Sequence, residues 1–377
     1  MRRFHGIDGL RAWLAWTIVL SHIFLFTAAN ERVPVLARID NAAHQAVLIF
    51  TIISGFVIAH LLLEKKEAYL PFLVRRFLRI YPVYIICLVA GIFTTYLHLE
   101  TFLNHPFGDF IPEPHLLTNE TISLDEHGVF PHFLAHLLLL QGAISNRILD
   151  QSQYLFLGTA WSLSLEWQFY LVAPLILFLV RGFWGSVALS LATVAGYYAY
   201  MQGWLGDFEA MSFLPGAGLY FAAGIATRLV IPKVPRIAAY PIAVVIIGLG
   251  FIIITHLLVP FIVWATFVLW MILDRPTDGI STRIKRILGY AFDSGPARYL
   301  GQRSYGTFLA HEPIMHFIGY VCIKQCGLGM LPTTLATLVL SPVLILLSSA
   351  VLYRYVEMPS INYGKRLFNE PLQDETV

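Results

Sequence analysis

Apolar residues run in stretches of about twenty along most of this chain, broken by short polar segments, and that pattern predicts membrane-spanning helices. A helix needs about 20 apolar residues to cross the hydrocarbon core. Ten stretches meet that length, at about 9–29, 42–63, 80–98, 160–180, 184–203, 212–230, 237–255, 257–273, 302–322 and 332–354. Only a turn near Thr255 separates the seventh from the eighth. A shorter apolar piece, 132–145, reads as a re-entrant or interfacial helix. The expected fold class is therefore all-α. It is a polytopic transmembrane helix bundle of about ten spans, a single integral-membrane domain over 1–377 with no appended soluble domain.

Composition agrees. The 377 residues are 57% hydrophobic and 13% charged, with a mean hydropathy of +0.69. Soluble domains carry roughly 25% charged residues. The formal net charge of +2 says little until it is read loop by loop. With both termini cytoplasmic, 21 of the 25 Lys and Arg fall on the inner side, leaving Arg32, Arg38, Arg147 and Lys324 outside. The opposite topology inverts that ratio, so the positive-inside rule fixes the orientation. A basic N-terminus before an apolar run mimics a signal peptide. Cleavage is not expected, because Arg11 and His22 lie within that run and the second span needs the first as its topological partner. The three cysteines are too few for a disulfide framework. Cys322 and Cys326, one helical turn apart, read as small packing residues, with a disulfide or metal pair as the other reading. Nothing resembles a nucleic-acid-binding module.

The first span carries two ionisable residues, Arg11 and His22, with no other charge between them. Eleven steps of ~1.5 Å separate them by roughly 16 Å along the helix axis. One then lies near a surface and the other near mid-depth. Ionisable groups at such depth are costly and mark functional sites by default. A histidine that only hydrogen-bonds a neighbouring helix is the structural alternative.

Three further segments carry candidate chemistry. RRFLRIYP (75–82) places Arg75, Arg76 and Arg79 just inside the third span. Arg76 and Arg79 share a helix face. Guanidinium groups bind phosphate bidentately and stay charged. This pair suits a phosphorylated cytosolic ligand such as a nucleotide or coenzyme A, or else serves topology and lipid headgroups. WSLSLEWQFY (161–170) opens the fourth span at the outer face, with Glu166 about one turn into the membrane and Ser162 on the same side. Glu166 either orients a histidine, positions an acceptor hydroxyl or staples helix ends. SYGTFLAHEP (304–313) puts His311 in the middle of the ninth span beside Glu312, with Ser304 and Tyr305 nearer the inner surface. A second buried histidine on another helix points to a shared polar cavity.

Smaller features read as structural first: SGF (54–56), where Gly55 permits close helix approach, and YRYVEMP (353–359), where Glu357 caps a helix or pairs with an inner arginine. His132 and His136 form an H-x-x-x-H pair that would need more ligands to hold a metal, and no metal is expected. The longest outer segment, 99–159, reads as a lid or acceptor-binding surface, or as a solvated loop. Tyr154, Trp161, Trp204 and Phe208 in the outer loops are able to stack on sugar rings or to anchor the interface.

Together these motifs resemble the acyltransferase-3 family of polytopic membrane O-acyltransferases. The resemblance is spread over the whole chain. DGLRAWLAWTIVLSH, SGF, RRFLRIYP, WSLSLEWQFY, LGQRSYGTFLAH (300–311) and YRYVEMP occur in the family's order. It implies transfer of an acyl group, usually acetyl, from cytosolic acyl-CoA to a hydroxyl of a cell-surface or exported glycan, at the bacterial inner membrane. Arg11 and His22 match the family's Arg-x10-His pair, implicated in catalysis. Arg76 and Arg79 match its Arg-x-x-Arg motif, implicated in handling the donor. Glu166, Ser304, Tyr305, His311 and Glu357 match recurrent positions. Phe308 stands where the family often has tyrosine, and Trp13 and Trp16 make the first helix Trp-rich, changes that bear on the acceptor cavity. Without the extracellular hydrolase-like domain of some members, the acyl group is expected to pass directly to its acceptor or to a partner.

The implied mechanism has Arg76 and Arg79, with Arg11, holding the acyl-CoA phosphates while His22 acts as general base or as acyl-accepting nucleophile. Expected partners are membrane lipids, acyl-CoA and a glycan or other hydroxyl-bearing acceptor, with no nucleic acid. The rival reading is a transporter or flippase of a lipid-linked or polar substrate, which inverted repeats or paired broken helices would favour. A sensor or scaffold without catalysis predicts no coenzyme A dependence.

Overall fold

The computed structural model describes residues 6–33, 35–65, 67–109, 114–230, 260, 263–268 and 280–368. These residues are helical almost throughout, and no strand occurs among them. The chain order is α1 (Ile7–Phe26), α2 (Ala29–Arg32), α3 (Ala37–Lys65), α4 (Tyr69–Phe102), α5 (Pro114–His127), α6 (Val129–Leu137), α7 (Trp161–Leu179), α8 (Phe183–Met201) and α9 (Leu214–Val230). After the next described stretch come α10 (Ile280–Asp293), α11 (Gly295–Gln302), α12 (Ser304–Tyr320), α13 (Met330–Leu352) and α14 (Met358–Leu367). Five segments are long and apolar enough to cross a membrane: Ile7–Phe26, Ala42–Glu64, Tyr69–Phe102, Gly158–Leu179 and Met330–Leu367. The chain is thus an integral membrane protein built of helices.

Helices α8, α9 and α12 occupy three more of the expected span positions but fall outside those five. In α12 the reason is chemical, since His311, Glu312 and His316 dilute its 17 residues. The expected seventh span, 237–255, and most of the eighth, 257–273, lie outside the described residues.

Helix α1 is the hub. It packs on α3, α10, α11, α12 and α13, burying Leu10, Leu14, Ile18 and Ile23. Helix α3 pairs most extensively with α9. That pair is backbone to backbone: a Cβ on Gly55 would strike the Phe221 carbonyl, and one on Gly224 the Ile52 carbonyl. Small residues allow such close approach where lipid supplies no hydrophobic drive. Arg228 of α9 closes the end of this pair on Glu64 at 2.7 Å. Helix α8 buries none of its residues and exposes Trp184, Leu191 and Val194, an apolar surface suited to lipid.

The apolar piece expected at 132–145 is a helix only over Val129–Leu137. Leu139 then takes a left-handed φ of 56°, and turns continue to the 3-10 turn Gly158–Ala160. This irregular stretch lies alongside α4. Tyr81 donates to the Leu137 carbonyl at 2.8 Å, Tyr84 to the His136 carbonyl at 2.8 Å and Thr95 to the Phe156 carbonyl at 3.2 Å. Irregular backbone at membrane depth is tolerated only where protein satisfies it. Here Gln141 donates to the Ala160 carbonyl, Ser152 to that of Gln141 and Ser164 to that of Leu139. The alternative of a solvated loop therefore fails for this part, since His132, His136, Gln141, Gln151 and Ser152 are all fully buried.

Candidate active site

A cavity of about 100 Å³ opens between α1, α3, α4, α7 and α12. Arg11 comes from α1, Ser54 from α3, Arg76 and Arg79 from α4, Ser162, Glu166 and Tyr170 from α7, and Ser304 and Tyr305 from α12. Eight of the residues singled out in the sequence, on four helices, therefore line one space: Arg11, Arg76, Arg79, Ser162, Glu166, Ser304, Tyr305 and Phe308. Arg75, on another face, pairs with Glu67 instead.

Glu166 organises the cavity wall. Ser54 donates to its carboxylate at 2.8 Å, and Tyr170, one turn along α7, donates to the same oxygen. Arg11, Arg76 and Arg79 all lie in the field of this carboxylate. Glu357, buried in the π-helical turn that joins α13 to α14, faces Arg79, Arg11 and Arg303. Three guanidiniums still face a space lined by one carboxylate, and the Arg76 Nε has no hydrogen-bond partner. Buried like charges at close range repel, so an anion with several oxygens suits this wall. Tyr305 donates to the Ile80 carbonyl at 2.6 Å, tying α12 to α4 beside the cavity.

His22 and His311 do not line that cavity. They face each other beyond it, Nδ1 of His22 to Nε2 of His311 at 2.8 Å. Phe308 stands between, its ring 6.3 Å from Phe50 on the cavity side and 6.0 Å from His311. The partner of His22 is thus His311. Glu166 is engaged by Ser54 and Tyr170 in the arginine cavity, and no hydrogen bond joins it to a histidine among the described residues. Glu166 shares the cavity wall with Arg11, Arg76 and Arg79. The residue after His311 has a separate role: the Glu312 carboxylate accepts from the Gly158 and Thr159 N–H groups, both at 2.8 Å. It fixes the turn from which α7 starts.

Other expectations resolve locally. Nε2 of His132 meets the Ser123 hydroxyl at 3.0 Å, and the backbone of His136 accepts from Tyr84. The two histidines brace α6 against its neighbours. Cys322 is buried and Cys326 exposed, both as free thiols. Trp13, 58% exposed, donates to the Ala291 carbonyl, and neither it nor Trp16 lines the cavity. Trp204 is exposed, while Phe208 is stacked between Tyr200 and Phe213. The sequence reading missed four polar residues, Ser54, Tyr170, His98 and His316. Tyr170 had a signal, since it lies four residues after Glu166 and so on the same helix face.

The model of an acyltransferase domain, acyltransferase 3, matches residues 4–354. The peptidoglycan O-acetyltransferase OatA of Listeria monocytogenes serovar 1/2a is 27% identical over 337 residues, covering 82% of this chain and 49% of the relative. The chain thus spans about half the length of that curated relative. No solved structure matches. A family model that covers nearly the whole chain, with the arginines and histidines above inside it, shows that the chain belongs to the acyltransferase-3 family.

Proposed function

We propose that this protein is a membrane O-acetyltransferase. It moves an acetyl group from cytosolic acyl-CoA to a hydroxyl of a cell-surface or exported glycan, in a bacterial inner membrane. The observation that carries the reading is the His22–His311 pair beyond the three-arginine cavity, on two of the helices that wall it. The Listeria relative is a peptidoglycan O-acetyltransferase, which supports acetyl as the group and a glycan hydroxyl as the acceptor.

In this reading Arg11, Arg76 and Arg79 hold the donor phosphates, and Glu166 with Ser54 and Tyr170 keeps their wall in register. The pantetheine arm passes Phe308 and presents the thioester to His22. His22 donates through Nδ1 to His311, which leaves its Nε2 lone pair free as general base. The acceptor hydroxyl oxygen attacks the thioester carbonyl as its proton passes to Nε2. The carbon–sulfur bond then breaks, and the coenzyme A thiolate takes that proton. An ester and free coenzyme A leave the site.

The test is acyl-CoA turnover by purified protein in nanodiscs, wild type against His22→Ala, with intact-mass analysis. A general base is worth about 10²–10⁴-fold. The variant is expected to lose that much rate at normal membrane abundance and normal donor affinity. Full activity would remove His22 from the mechanism. A +42 Da adduct on the wild type would replace the general base by an acyl-histidine. A folded wild type that neither binds nor turns over acyl-CoA would favour a transporter.

A further inference from the structure

Beyond His22 and His311 lies a second histidine pair that the mechanism above does not use. His98, near the end of α4, and His316, on α12, stack face to face with ring centroids 4.1 Å apart and planes 18° apart. Phe26, at the end of α1, reaches all the imidazoles at this end but His311. Its ring centroid is 5.2 Å from His22, 5.8 Å from His98 and 4.8 Å from His316. Three helices thus bring one aromatic face and two imidazole edges to the side of His22.

Packing alone does not account for the pair. His316 is only 6% exposed, yet its Nδ1 has no hydrogen-bond partner. Leaving a buried polar group unpaired costs about 1–3 kcal/mol, and such groups call for an explanation. Stacked rings turn their nitrogens to the edges of the stack, so the unpaired His316 Nδ1 is not satisfied by its stacking partner. The groups that bear electrostatically on His316 are His98, His311 and His22, none of them an arginine or lysine. This surface is therefore poor for a phosphate and good for hydroxyls. A neutral imidazole offers one donor and one acceptor, the complement of a hydroxyl. The arginines lie toward the opposite, N-terminal end of α4, which keeps the two ligands apart.

We propose that His98, His316 and Phe26 form the acceptor subsite, with the imidazole edges binding hydroxyls of a sugar ring and Phe26 its apolar face. The proposal rests on the acyltransferase reading for its chemistry, but its binding step does not need the donor. His98 and His316 are positioning residues here, and His22 remains the group that meets the reacting oxygen.

The experiment has two parts, with an N-acetylglucosamine trisaccharide as probe. Calorimetric titration of the trisaccharide into purified wild type, His316→Ala, His98→Ala and His316→Asn proteins reads binding without any donor. Acetyl transfer to the same trisaccharide then separates KM from kcat. Each Ala variant is expected to weaken trisaccharide binding, and raise its KM, about tenfold, the equivalent of 1.4 kcal/mol. His316→Asn, which keeps a donor and an acceptor, recovers part of the loss. Acetyl-CoA affinity stays at the wild-type value. Unchanged trisaccharide affinity in both Ala variants overturns the subsite, as does a wild type that does not bind the trisaccharide. A loss equal in Asn and Ala variants, with a matching loss of thermal stability, assigns the pair to packing and also overturns it. Trisaccharide binding that fails in the Ala variants, in a protein that never turns over acetyl-CoA, upholds the subsite and sinks the acyltransferase reading instead.

Discussion

The arginine cavity and the histidine cluster share three helices and have opposite chemistry, α4 supplying Arg76 and Arg79 to the first and His98 to the second. Helix α1 gives Arg11 to one and His22 to the other, and α12 gives Ser304 and Tyr305 to one and His311 and His316 to the other. The first region is open, with three guanidiniums and one carboxylate on its wall. The second is closed, with imidazoles stacked or hydrogen-bonded to one another around Phe26. Fixed charges suit an anionic ligand that enters whole, whereas imidazoles suit a hydroxyl that must lose a proton. In the proposed reading the difference lets one helix separate two ligands along its length, at roughly 16 Å between Arg11 and His22. Phe308 forms the partition between them.

The sharpest way to break this division is at the link between its halves. Glu312 is the neighbour of His311, and its carboxylate holds the turn from which α7 carries Glu166 into the cavity. Glu312→Ala leaves two buried N–H groups unpaired, at about 1–3 kcal/mol each. The expected destabilisation is about 2–6 kcal/mol, read as a lower thermal unfolding midpoint in detergent. Glu312→Gln keeps one carbonyl acceptor and is expected to lose half of that or less. An Ala variant as stable as wild type would show that the two regions are not coupled through this turn.

Next in size is the removal of one cavity charge. Arg79→Met keeps the stem of the side chain and deletes the guanidinium. Hydrogen bonds to charged groups contribute about 1.5–3 kcal/mol, so donor affinity is expected to fall by between about tenfold and a hundredfold. The KM for the acceptor is expected to stay within about twofold, because Arg79 lies on the cavity side of Phe308 and a rim-distance effect is small. Titration with acyl-CoA and acceptor kinetics check both halves. Equal losses for the two ligands would merge the regions into one site.

Charged residues made the first region legible in the sequence, and their absence hid much of the second. Arg11, Arg76, Arg79 and Glu166 stand out because ionisable groups are rare in apolar helices. Ser54, which with Tyr170 holds Glu166, does not stand out, since hydroxyls are common in membrane helices and only tertiary packing shows which face a carboxylate on another helix. His98 lies at the edge of an expected span, where a histidine reads as interfacial, and nothing local ties it to His316, 218 positions away by the numbering. Periodicity gives a helix its faces but not their partners. The helices themselves were readable from apolar length. The turns between α6 and α7 were not, because their backbone is satisfied by Gln141 and Ser152 from within, by Ser164 of α7 and by Thr95 of α4. Such long-range satisfaction has no local pattern.

The smallest expected effect lies outside both regions and tests whether they are special. Arg228 reaches Glu64 at 2.7 Å, with the Glu64 side chain 51% exposed. Water screens a pair of this kind, and exposed pairs are worth about 0.2–1 kcal/mol. The α3–α9 contact beneath it depends on the facing backbones at Gly55 and Gly224, which the ion pair does not touch. In a double-mutant cycle of Glu64→Gln and Arg228→Gln, the coupling is expected below about 1 kcal/mol, with donor and acceptor kinetics unchanged. A coupling several times larger would mean that this end of the bundle is drier than its exposure indicates. A change in donor affinity would extend the electrostatic reach of the cavity to α9, and the division between a charged half and an imidazole half would then have to include a third layer at the Arg228–Glu64 end of the bundle.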